Sequence, residues 1–257
     1  MRRGSHTMPE ISIKAEQLFE LWHIPITNSI LLAFITCVVL LIIGLMLRGR
    51  LSMIPGKLQS VLEMLIEQVL ALMDSVFGSR EKSEKYFPVV LTVFVFILFS
   101  NWFGLLPIVG PVGLRHVVEH NGEVKEVMIP LLRAPSADLN FTIALAIIAV
   151  FSVNFLSIVA LGVIGFIKRF FSKNIILSAV GILEIISEFV KIISFSFRLF
   201  GNVFAGEVLL LIVGFLVPLF IPLPFLFLEV FVGFMQAFIF GMLTMVFLAM
   251  STTEAHH

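Results

Sequence analysis

An arginine in the middle of an apolar run is the feature of this chain that is hardest to accommodate. Residues 184 to 207 read EIISEFVKIISFSFRLFGNVFAGE, inside a stretch from Ile175 to the Pro218 region that is too apolar for water. At 1.5 Å per residue, Arg198 lies over roughly 25 Å of helix from either end, out of snorkelling range of an interface. An intramembrane arginine costs on the order of 2.5 to 3.5 kcal/mol even on a lenient scale, and such residues face protein or water and mark ion pathways. The plainer alternative is a structural bridge from Arg198 to a carboxylate on a neighbouring helix.

At 100° per residue, Glu184, Ser187, Glu188, Lys191, Ser194, Gly201, Asn202, Ala205 and Gly206 all project within roughly 80° of Arg198, whereas Glu207 projects about 180° away. One helix therefore carries a polar stripe and one opposed acid. The small residues Gly201, Ala205 and Gly206 on the stripe predict close approach of another helix.

Composition agrees with a lipid environment. The chain has 257 residues, 59% hydrophobic and 13% charged, with a mean hydropathy of +1.10, which places it among integral membrane proteins. A net charge of +0 offers nothing to nucleic acid, and there is no basic patch with interleaved aromatics. The single cysteine, Cys37, sits in an apolar run and has no partner for an internal disulfide.

The expected fold is all-α and polytopic, with five membrane-embedded helices and one amphipathic surface helix. Residues 1–29 form an N-terminal extramembrane segment, whose first seven residues, MRRGSHT, are either native or an appended leader. Residues 30–257 form one membrane domain with spans at about 30–47, 87–106, 139–167, 175–217 and 225–250. The first span is retained, because no small-residue cleavage site follows it. Between the first two spans, Leu58, Leu62, Leu65, Ile66, Val69 and Leu72 recur at helical spacing opposite Gln59, Glu63, Glu67 and Asp74, predicting a surface helix over about 56–77. Arg80 to Lys85 is expected to be a solvated turn, residues 107–138 an external loop, and Pro218, Pro222 and Pro224 a turn before the last helix.

Cation placement sets the expected orientation. Nine cations (Arg48, Arg50, Lys57, Arg80, Lys82, Lys85, Lys168, Arg169 and Lys173) fall on one side of five spans, and six (Arg2, Arg3, Lys14, Arg115, Lys125 and Arg133) on the other. The positive-inside rule then puts the N-terminus and the 107–138 loop outside and the C-terminus in the cytoplasm.

His116-Val-Val-Glu119-His120 spells H-x-x-E-H, which in zinc proteases needs a helix. Here Asn121-Gly122 follows at once, so the segment is expected to be a hairpin that separates the two histidines. Phosphate-cradling glycine loops and nucleophile elbows are absent, and no metal or other cofactor is implied. Glu229 and Gln236, seven residues apart, share a face of the last helix. An antiparallel hairpin of the last two helices brings Gln236 level with Arg198 and Glu229 level with Glu207. Gln236 then either lines a path or makes an interhelical hydrogen bond. Asn101, Asp138 and Asn140 stand at span ends, where capping or interface exposure is expected.

Arg198-Leu-Phe-Gly-Asn202, then Ala205-Gly-Glu207 and Gln236-Ala-Phe-Ile-Phe, resemble subunit a of the F-type ATP synthases. Pro55-Gly-Lys57, the Asn101 to Pro107 segment and Pro135-Ser-Ala-Asp138-Leu-Asn140 match in order, covering most of the chain from Ile11 onward. The resemblance implies a bacterial plasma-membrane subunit with no nucleotide chemistry of its own, working beside a c-subunit ring, a b-subunit peripheral stalk and the remaining subunits. Its last two helices would form a long hairpin against that ring. It further implies that Arg198 faces the ring carboxylate between two offset half-channels. Asn202, Glu207 and Gln236 would belong to the channel region, with Glu229 beside Glu207; Glu184 and Glu188 would lie toward the inner half-channel, and Ser194 on the proton path. Many relatives pair a histidine with a glutamate where this chain has Glu207 and Glu229, and the two acids here are expected to share one proton. Lys191 is expected to pair with Glu184 or Glu188, or with lipid head groups. The rival readings are a self-contained ion or solute transporter, which would show inverted repeats and broken helices, and an assembly scaffold whose buried charges are structural.

Overall fold

The computed structural model describes residues 15–21, 24–49, 56–109, 112–120, 123–170, 175–217 and 220–252. The first seven residues, Pro55, the Asn121-Gly122 turn and Pro218 lie outside them. Among the described residues six α-helices dominate: α1 (Asn28–Arg48), α2 (Lys57–Phe77), α3 (Arg80–Gly104), α4 (Leu139–Phe170), α5 (Ile175–Leu216) and α6 (Pro222–Thr252). Among the described residues all but α2 are long and apolar enough to cross a membrane, so the chain is a polytopic all-α membrane protein.

Among the described residues two antiparallel strand pairs accompany these helices. Strands β1 (Gln17–Leu21) and β2 (Ile24–Thr27) pair ahead of α1, in a segment that the sequence marks only as extramembrane. Strands β3 (Gly113–His120) and β4 (Glu123–Pro130) pair in register from Gly113 opposite Pro130 to His120 opposite Glu123. The H-x-x-E-H residues thus lie on a strand, whose rise sets positions 116 and 120 roughly 13 Å apart.

Several boundaries differ from expectation for local reasons. Arg80 to Lys85 is the first part of α3, not a solvated turn. Arg80 lies 2.8 Å from Glu67, 3.1 Å from Asp74 and 3.0 Å from Glu84, so the charges that suggested a turn clamp α2 to the start of α3. The Glu67 carboxyl is held below the ordinary carboxylate range by its hydrogen bond from Arg80. Gly78, at φ 67°, ends α2, its N–H donating to the Asp74 carbonyl in a left-handed cap. Pro222 and Pro224 lie in the first turn of α6 rather than before it. A helix's first N–H groups have no intrahelical acceptor, so proline costs little there. In α4, Gly162 adopts φ 74° and ψ 163°, a break in the helix that only glycine enters readily.

The chain divides into two compact units; all the helices but α2 contribute to both, and α2 lies wholly in the second. The first holds Met1–Ile35, Leu98–Thr142 and Phe197–Gln236; the second holds Thr36–Ile97, Ile143–Ser196 and Ala237–His257. In the second unit the core is Met73, Tyr86, Val90, Val153, Met245 and Leu248, drawn from α2, α3, α4 and α6. Phe77 stacks on Tyr86 with ring centroids 5.4 Å apart, and Phe195 on Phe240 at 4.5 Å. Close contact of this kind, rather than exclusion of water, holds helices together in lipid.

The first unit is held by polar contacts. Trp102 Nε1 donates to the Val230 carbonyl at 3.1 Å, and Asn101 Nδ2 to that of Gly233 at 3.1 Å, joining α3 to α6. Ser29 Oγ donates to Asp138 Oδ2 at 2.6 Å, and Asn28 Nδ2 to the Pro130 carbonyl at 3.2 Å, fixing the start of α1 against the segment before α4. Asp138 also accepts the Asn140 N–H at 3.0 Å, which caps α4 as its place at a span end suggests.

Candidate functional site

The polar stripe on α5 is divided between two surroundings. In the first unit Arg198, Gly201, Asn202 and Ala205 are exposed, with Phe197 beside them. Among the described residues nothing lies within 4 Å of where a Cβ on Gly201 would project, so the helix expected to approach there is not seen among them. Gly206 alone among the small residues of the stripe is buried, and a Cβ there would fall on the Glu229 carboxyl group of α6. The missing side chain is what admits Glu229, itself only 7% exposed.

This contact puts Glu229 level with Gly206 and Glu207. Seven residues back along α5 and seven forward along α6, at equal rise, bring Gln236 level with Leu199, next to Arg198. Gln236 is buried while Arg198 is exposed. Glu207, on the far side of the stripe, turns toward Arg133: Oε1 stands 3.5 Å from the Arg133 Nε. The other oxygen, Oε2, is buried with no hydrogen-bond partner among the described residues. Asn28 Oδ1, Ser100 Oγ and Asn101 Oδ1, all in the same unit, are buried likewise. Buried polar atoms of this sort are the ones ordinarily satisfied by water.

Arg133 escaped the sequence reading, which counted it only as a cation of the external loop. It is 6% exposed, and Pro135–Ala137 forms a short 3-10 turn just after it. The available signal was Glu207, an acid on the apolar side of a membrane helix that calls for a cation from elsewhere.

In the second unit the stripe meets α4 and α6. Lys191 Nζ lies 2.6 Å from Glu188 Oε1, both side chains 16% exposed, one of the pairings expected for Lys191. Asn154 of α4 donates from Nδ2 to Glu188 Oε2 at 3.1 Å, and the Lys191 ammonium lies 4.5 Å from the centre of the Phe247 ring on α6. Asn154 and Phe247 are further residues the sequence reading missed, although an asparagine within an apolar span was a visible cue. Glu184 and Ser194 are half-buried on the same helix.

Removing one member of a half-buried ion pair leaves the other charge without its counter-ion. Lys191→Ala should therefore lower the amount of chain in the membrane several-fold. Glu188→Gln in the same chain should restore it, as read by immunoblot; equal abundance in all three proteins would mean that the pair holds nothing in place.

The ATP synthase A chain family profile matches residues 30–249, which include both clusters. The chain belongs to the ATP synthase A chain family. Among named relatives, ATP synthase subunit a of Moorella thermoacetica is 32% identical over 240 residues, covering 92% of this chain and 96% of that protein. Its counterpart in Campylobacter jejuni subsp. doylei is 32% identical over 219 residues, covering 85% and 87%. ATP synthase subunit a 1 of Syntrophotalea carbinolica is 33% identical over 215 residues, covering 83% and 81%. Family membership accounts for the arginine motif and for the order of the matching segments along the chain.

Proposed function

We propose that this chain is the stator of the membrane sector of a rotary ATP synthase, carrying protons through two half-channels to and from carboxylates on a passing c-subunit ring. The observation that carries this is a guanidinium presented outward from the middle of a membrane helix, with Gly201 and Ala205 leaving the surface around it low. A permanent cation there favours the ionised form of a carboxylate brought opposite, which drives proton release on one side. It also repels a cation attempting to cross directly, so ion flow goes by way of the ring. Each charge crossing 100 mV is worth about 2.3 kcal/mol, which a leak past Arg198 would dissipate.

The outer half-channel runs through the first unit. Glu207, Glu229, Gln236, Asn202 and Asn101 line it, and the buried oxygens of Asn28, Ser100, Asn101 and Glu207 are the atoms that water there would bond. Asp138 and Asn140 shape its wall by starting α4. The inner half-channel uses Glu184, Glu188, Lys191 and Ser194, with Asn154 added. Nine cations against six orient the chain in a bacterial plasma membrane with its N-terminus outside and its C-terminus in the cytoplasm. A b-subunit stalk and the remaining subunits hold it against rotation, and membrane lipid covers its other apolar faces. Nucleotide chemistry belongs to those other subunits.

Two acids on the outer side give this reading its test. Glu207→Gln and Glu229→Gln should each slow ATP-driven acidification of inverted vesicles by about tenfold while leaving membrane abundance unchanged. Wild-type pumping in both variants would overturn the outer path.

A further inference from the structure

We infer that Arg133 is a positioning residue of the outer half-channel, holding one oxygen of the Glu207 carboxylate so that the other is presented for proton exchange. The inference rests on the proposal that Glu207 carries protons, and it extends it to a residue outside the spans.

Three observations support it. Arg133 follows β4 outside the helices, where a basic side chain ordinarily extends into water, yet it is 6% exposed. Its fixed neighbours explain the burial: Ala134, Pro135, Ser136, Ala137 and Asp138 are all buried, and a Cβ on Gly104 would overlap Ala134, so α3 lies directly against this segment. Second, the guanidinium forms an ion pair with a membrane-helix carboxylate, Nε lying 3.5 Å from Glu207 Oε1 without a hydrogen bond of its own. Third, the two carboxylate oxygens are not equivalent. Oε1 faces a permanent charge, whereas Oε2 is buried with no hydrogen-bond partner among the described residues.

A carboxylate in a flexible side chain is a poor relay unless something fixes it, because a displacement of about 1 Å at a transfer site can cost a hundredfold in rate. The planar, always-charged guanidinium is suited to that fixing, and an ammonium on a flexible stem is less so. The segment Ala134 to Asp138 supplies rigidity: its proline and 3-10 turn sit between Arg133 and an aspartate already committed to Ser29 and to the cap of α4. Arg133 therefore reaches Glu207 from a fixed base, which is how a supporting residue keeps a site in productive geometry.

The test uses inverted vesicles carrying the assembled complex, with Arg133→Gln, Arg133→Lys, Glu207→Gln and Arg133→Gln/Glu207→Gln, each checked for abundance. Arg133→Gln should lower ATP-driven acidification by about tenfold, and Arg133→Lys should recover a large part of that loss. Adding Arg133→Gln to Glu207→Gln should cost nothing further, because the acid it positions is already gone. Losses that multiply, or wild-type pumping by Arg133→Gln beside a slowed Glu207→Gln, would overturn the inference and leave the path through Glu207 standing. Wild-type pumping by Glu207→Gln would instead remove the underlying proposal. If Arg133→Gln is depleted from the membrane, Arg133→Lys decides: normal abundance with several-fold slower pumping supports positioning, while depletion of both variants makes Arg133 structural and overturns it.

Discussion

Replacing Arg198 with alanine should abolish ATP-driven acidification, a fall of about a hundredfold or more, of the order seen when a preorganised charge is removed from a reacting centre. The chain should remain in the membrane at wild-type abundance. The reason lies in the packing: Arg198 is exposed on α5 and is not part of the buried core. An arginine serving as a structural bridge predicts the opposite pattern, with depleted chain and no specific defect in coupling. Arg198→Lys keeps the charge but loses the planar fork and the permanence of a guanidinium, so it should pump poorly rather than normally. The measurement is the pumping rate of inverted vesicles divided by the amount of chain on an immunoblot. Retained pumping by Arg198→Ala would reduce the arginine to a structural role and leave the stator assignment on family resemblance.

The second large effect is expected at Gly206, which the family motif contains but which only the packing explains. A methyl group there would fall on the Glu229 carboxyl, so Gly206→Ala must drive that carboxyl aside. Because the obstructing atoms are at the end of a flexible side chain, the helices need not separate and abundance should hold. Pumping should fall about tenfold, since the displaced group leaves the path. Shortening the acid by one methylene withdraws the carboxyl from the added methyl, so Gly206→Ala/Glu229→Asp should pump better than Gly206→Ala alone. Contacting residues give such non-additive pairs, whereas independent ones do not. If the double variant instead shows the product of the two single losses, the contact between Gly206 and Glu229 does not limit proton flow.

These two positions differ in how they are written in the chain. Arg198 is legible because a charge inside a long apolar run has few uses, and its 100° spacing from Gly201, Asn202 and Ala205 assigns them a common face. That Gly201 and Ala205 stay exposed, while Gly206 receives Glu229 from α6, follows from no periodicity, since all three look alike on a helical wheel. Lys191 and Glu188, three residues apart on one helix, were an expected pair because the spacing itself joins them. Their links to Asn154 and Phe247 cross to α4 and α6, and local spacing is blind to those.

Local signals also misled where two uses share one composition. The charges from Arg80 to Lys85 suggested a solvated turn, yet Arg80 holds Glu67, Asp74 and Glu84 and the helix starts there. Prolines 222 and 224 suggested a turn and instead open α6, where the absent N–H is no loss.

What the sequence determined by itself is the number of membrane helices, the surface-type helix α2, the β3–β4 hairpin and the central arginine. These depend on length, period and the cost of bare charge in lipid, all of which are properties of short stretches. Tertiary structure alone decided that Arg133 meets Glu207, that Glu229 rests on Gly206, and that the start of α1 is tied to Asp138. Each of these joins residues at least twenty positions apart, and such pairings are fixed by which buried polar groups can satisfy one another once the helices have packed.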